Sequence, residues 1–144
     1  MKVFIVFISL LIVNMSCIIY QGDLNRYIQL QTFIKAAAEE CAAGAALYYD
    51  EEAYGQGLMV INEQEALKYA DYIVGKASNA LCLKEGDSLA YEMQITDDGN
   101  RTGGLNEPPS VEVELKFTTD DMFRLSFLKV DQVVRKAKYE LAEY

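Results

Sequence analysis

Cys41 and Cys82 are the residues whose type and placement point most directly to chemistry. In an oxidising compartment a bridge between them would close a loop of about 40 residues and stabilise the fold by roughly 3 to 4 kcal/mol. In a reducing one they are two buried thiols. The third cysteine, Cys17, lies in an apolar run, where a lone thiol behaves as a small hydrophobe. The chain has no histidine, which leaves two cysteines short of a zinc site and removes the commonest general base. Ser-His and Cys-His nucleophile pairs go with it. No spacing of carboxylates or lysines supplies a replacement, so no catalytic, cofactor-binding or metal-ligating residue is expected and the reading is non-enzymatic. Asp97-Asp98-Gly99-Asn100 and Asp50-Glu51-Glu52 gather carboxylates without the ligand spacing of an EF-hand. The first reads as a turn and the second as a solvated helix end. Asn100-Arg101-Thr102 matches the glycosylation acceptor pattern, which matters only in a secretory-pathway host.

These residues must be positioned by a chain that begins with Val3 to Tyr20, VFIVFISLLIVNMSCIIY, eighteen residues without a charge. At about 1.5 Å per residue such a helix spans roughly 27 Å, close to the hydrocarbon thickness of a bilayer. Residues 1–21 are therefore expected to be a single membrane anchor. Lys2 and the amino terminus favour a cytoplasmic N-terminus, with everything after Gly22 outside. The competing readings are a cleaved signal peptide, which lacks a small-x-small exit, and a lipoprotein whose acylated residue is Cys17.

Residues 22–144 suffice for one extracytoplasmic domain. With Lys2 set aside, 12 basic residues face 22 acidic ones, a net charge of −10. That excludes nucleic acid as a partner, because phosphate binding needs a basic face, and it argues against flat docking on anionic lipid. Asp23 and Arg26 stand just beyond the membrane, one turn apart, as an exposed intrahelical pair or as contacts for a neighbour's charges.

Apolar and small residues keep a helical period from Leu24 through Ala46, predicting a helix over about 23–53 that continues the anchor. Within it, AAAEECAAGAA has almost no side-chain thickness. Its face Ala38, Ala42, Gly44 and Ala45 suits either tight seating on the chain's own elements or a close crossing with a neighbouring subunit's helix. Asn62 is a good N-cap for a second helix over about 62–83, with Glu63 and Glu65 at its favourable end. Beyond Gly86 the pattern alternates. Strands are predicted over about 88–96 and 110–118, then 122–128 and 130–142. The last segment also carries a helical stripe through Val130, Val134, Ala137 and Leu141. The strand reading is preferred because two strands alone do not make a stable sheet. The fold class is α+β: a long N-terminal helix, a second helix and a C-terminal antiparallel sheet.

Two segments carry a family resemblance: DLNRYIQLQTFIKAAAEECAAGAALYYDEEAYGQG after the anchor, and the closing RKAKYELAEY. In layout the chain resembles pilin-like proteins, and more specifically the TadE-like minor pseudopilins of tight-adherence pilus systems. The first segment resembles that family's Ala-rich helical extension, the second its final strand. The glycine before the apolar segment and the glutamate at its fifth position, which pilin processing uses, are absent here. The resemblance therefore implies an unprocessed, membrane-held accessory subunit that works by assembly with sister subunits or an assembly platform. A different class of function is the alternative: an anchored, signal-peptide-cleaved or lipidated extracytoplasmic binding module whose sheet or loop 97–109 captures a ligand. Helix-mediated self-association separates the two.

Overall fold

The computed structural model describes residues 2–99, 108–120, 122–125 and 128–141, and the acceptor pattern at Asn100 lies outside them. The elements run α1 (Lys2–Ala46), α2 (Glu51–Gly55), α3 (Glu63–Leu81), β1 (Ser88–Thr96), β2 (Ser110–Thr118) and β3 (Gln132–Glu140). The three strands form an antiparallel meander in the order β1-β2-β3. The α+β class expected from the sequence is the one observed.

The sheet register follows from alternation. Leu89, Tyr91, Met93 and Ile95 of β1 stand opposite Phe117, Leu115, Val113 and Val111 of β2. Those β2 residues in turn stand opposite Val133, Arg135, Ala137 and Tyr139 of β3. Directly paired residues share a face, so one side of the sheet is apolar through its centre. The other side is charged, with Lys136 Nζ at 2.6 Å from Glu112 and 3.5 Å from Glu114. Helix α1 lies across β2 and β3, and α3 packs beside α1 over β1.

The seam between the helices is made of small residues. Ala38, Cys41, Ala42 and Ala45 of α1 are buried, as are Ala66, Ala70, Ile73, Val74 and Ala77 of α3. With alanines making up most of the seam the helices approach closely, and the larger side chains of the core come from Ile34, Ile73, Val111, Val113, Leu115 and Phe117. The face Ala38, Ala42, Gly44 and Ala45 is thus consumed within the chain, all four residues being buried on the domain's own elements. It is not a surface left for a neighbour.

Three boundaries differ from the sequence reading. Helix α1 ends at Ala46, not near 53, because Leu47 and Tyr48 turn back onto the carbonyls of Gly44 and Ala45 and Tyr49 then bridges to Ile61. Asp50 caps the separate helix α2, its carboxylate accepting from the amides of Glu52 at 2.9 Å and Ala53 at 3.2 Å. The acidic run Asp50-Glu51-Glu52 is therefore a helix start. The strand expected over 122–128 is not formed by its described residues, which belong to a connection closed at its base by Thr119 N–H donating to Asp131 C=O. β3 confirms the strand reading of the last segment over Gln132–Glu140.

Asn62 caps α3 as its type suggests, accepting from Glu65 N–H at 3.3 Å. The helix closes at Cys82, a non-glycine residue with left-handed backbone, φ 48°.

Gly44 tests the seam. A methyl group added there would overlap the Tyr69 ring, which packs on Tyr48 with centroids 5.6 Å apart. Alanine ordinarily stabilises a helix interior by about 1 kcal/mol over glycine. Overpacking costs about 1 to 3 kcal/mol and outweighs it. Gly44→Ala should therefore lower the unfolding midpoint, and the same substitution made in a Tyr69→Ala background should raise it. Denaturant titration of the four variants reads the sign reversal.

Candidate functional site

The cysteines do not come together. Cys41 lies in the helix seam, fully buried, whereas Cys82 is exposed at the end of α3, and both are free thiols, as is Cys17. The bridge considered from the sequence is not present, because a residue pointing into the centre of the core cannot meet one at a helix C-cap facing solvent. Burial, helped by Glu40 and Asp71, pushes the Cys41 thiol up to about 11, so it has little thiolate character. Among the described residues no group of three or more His, Cys, Asp or Glu side chains is arranged to hold a metal ion.

Several of the carboxylates are engaged in structure. Asp97 accepts from the amides of Ile61 at 2.9 Å and Gly99 at 3.0 Å, and Asp98 accepts from Met59 at 2.8 Å. The Asp97-Asp98-Gly99 turn thereby ties the end of β1 to the segment before α3. Tyr91 donates to Asp71 at 2.6 Å, joining β1 to α3. Burial and this bond raise the phenol to about 12. Asp87 accepts from Lys84 N–H at 3.0 Å, and its hydrogen bond with Thr119 holds its carboxyl below the usual range.

The feature that sets this chain apart is α1 itself. Its second half is core, while the apolar window of its first half has no residue buried among the described residues. An eighteen-residue window there has a mean hydropathy of 2.6 with no part buried, long and apolar enough to cross a membrane. Its polar side chains turn inward on the helix. Ser9, Asn14 and Ser16 each donate at 2.9 Å to the carbonyl four residues earlier, on Ile5, Leu10 and Ile12. Donors satisfied in this way need no water, the condition a helix in hydrocarbon must meet. Asn14 keeps its amide oxygen, exposed and with no partner among the described residues.

Between the two halves stands Asp23. Sequence reading places it as an exposed charge beside Arg26; the structure buries it. Its carboxylate accepts from Arg124 N–H at 2.9 Å and lies 3.7 Å from the Arg124 guanidinium, across 101 positions of sequence. Phe123 packs one turn further along, its ring 5.9 Å from that of Tyr27. Arg26 is exposed and lines a cleft of ≈ 280 Å³ with Phe33, Lys84, Asp87 and Thr119. The β2–β3 connection is thus fastened to α1 three residues beyond the apolar run. A charge directly after an apolar run marks the boundary in sequence. Its partner, so distant along the chain, carries no local signal.

No family model, characterised protein or solved structure matches this chain.

Removing the buried Asp23 carboxylate leaves the part-buried Arg124 amide without its acceptor. Such a loss costs about 1 to 3 kcal/mol. Asp23→Ala should show it in denaturant unfolding, together with faster proteolysis in the β2–β3 connection. Asp23→Asn keeps an acceptor and should lose less.

Proposed function

We propose that this chain is a membrane-anchored, non-enzymatic, pilin-like accessory subunit of a pilus or secretion-type assembly. In this reading the amino terminus is cytoplasmic, the domain extracytoplasmic, and association runs through the apolar half of α1. One observation carries the proposal: a single helix is uncharged and unburied over residues 3–20 and part of the core of a folded α+β domain over its second half. A cleavable signal has no use for continuity with the core helix. An anchor that must set the orientation of its domain does.

The resemblance to TadE-like minor pseudopilins agrees with this layout. Association would use residues 3–22, since the small-residue face at Ala38 to Ala45 is spent inside the domain. Within that span Asn14 is the residue suited to specify a partner, its free amide oxygen exposed to a medium that offers no hydrogen bond except from another helix. Model peptides place such contacts at about 1 to 2 kcal/mol, enough to shift a membrane equilibrium five- to thirtyfold.

Cysteine cross-linking tests the assembly. In a Cys17→Ser, Cys41→Ala, Cys82→Ser background, single cysteines placed from Val6 to Met15 should cross-link between copies, or to sister subunits, with a helical period of about 3.5 residues. Asn14→Leu should reduce the yield severalfold. Absence of cross-links at every position, with the protein in the membrane and folded, would favour the anchored binding module.

A further inference from the structure

Two connections build the end of the domain nearest the apolar half of α1: residues 82–87, between α3 and β1, and residues 119–131, between β2 and β3. Both border the cleft beside Arg26. The opposite end, with Asp50, Glu51, Glu52, Glu63, Glu65, Asp97 and Asp98, lies around the C-terminus of α1. Asp23 and Ala46 are 23 residues apart on one helix, about 35 Å. The near end is different in charge: Arg26, Lys84, Arg124 and Lys129 are exposed there, interspersed with Glu85, Asp87, Asp120 and Asp131.

Depth follows from helix rise. Asp23 stands three residues past Tyr20, about 4.5 Å beyond the apolar run. The headgroup layer on each side of a bilayer is about 5 to 8 Å thick. The Asp23–Arg124 hydrogen bond therefore pins the β2–β3 connection at headgroup depth whenever residues 3–20 span the membrane. The side chains there suit that layer. Met122 is buried and Phe123 packs on Tyr27, so the approach to the tip is fixed. Beyond it Leu125 and Leu128 are half-exposed, brought together by Leu128 N–H donating to Leu125 C=O at 2.9 Å. Arg124, its side chain 73% exposed, and Lys129 flank them. Apolar residues flanked by long cationic side chains are the pattern of an interfacial contact, the stems lying along the apolar boundary and the charges reaching phosphates.

We propose that this tip is a second membrane contact: Leu125 and Leu128 seat in the headgroup layer of the bilayer that α1 spans, with Arg124 and Lys129 at lipid phosphates. The proposal rests on the first half of α1 being a membrane span. Helix and tip together hold the domain at two points, which fixes its tilt. The acidity of the chain as a whole is no obstacle, because the end richest in carboxylates faces away.

The chain contains no tryptophan, so one introduced residue reports its own depth. Leu125→Trp and Leu128→Trp are made in the full chain and reconstituted in phosphatidylcholine vesicles with acyl chains brominated near the headgroup. Ile12→Trp reports the span, and Tyr54→Trp, at the far end, reports solvent. The tip variants should be quenched at least twofold and blue-shifted, Ile12→Trp quenched most by deeper bromines, and Tyr54→Trp not at all. Tip variants that match Tyr54→Trp while Ile12→Trp is quenched would overturn the tip contact and leave the anchor standing. An unquenched Ile12→Trp would overturn both. Two tip positions guard against one substitution disturbing the turn, and circular dichroism of each variant shows that the fold is kept.

Discussion

A helix of 45 residues is about 68 Å long, whereas strands of nine residues reach about 30 Å, so the sheet can cover only half of α1. Everything else in the molecule follows from this mismatch. The covered half is made of small residues that let α3 and the sheet close on it; the uncovered half is apolar all round and has no place in water. Under the proposed reading one rigid element lives in two solvents, and the Asp23 carboxylate marks where they meet.

That boundary governs the charge distribution too. A carboxylate at the membrane surface is tolerable when its hydrogen-bonding capacity is met, and Asp23 has both the Arg124 amide and guanidinium. The far end of the domain uses its carboxylates on backbone amides instead. Asp50 caps α2, and Asp97 and Asp98 clip the segment before α3 to the end of β1. Sites that a composition count would reserve for cations are in fact the fastenings of loops.

What was legible in the sequence was periodicity. β1 and β2 lie where alternation places them, Asn62 caps α3, and the apolar run continues into the core helix without a break. What was not legible depends on partners far away in sequence. The bridge from Tyr49 to Ile61 ends α1 early. Arg124 goes to Asp23, 101 residues away, instead of to a strand, and its segment becomes a connection. The Ala38 to Ala45 stripe was equally suited to an internal or an external partner. Only the position of α3, with Tyr69 over Gly44, decides for the internal one. The cysteines fail as a pair for the same reason, since spacing along the chain says nothing about which face of a helix meets which cap.

The account turns on α1 being one uncut element, half in lipid and half in the domain. The measurement that tests this most directly is the unreduced intact mass of the protein extracted from carbonate-washed membranes of its host. The account predicts the mass of the full chain, or of the chain less Met1, with all three thiols free. A chain starting at Cys17 with added lipid, or one shortened by about twenty residues and recovered in the soluble fraction, would contradict it.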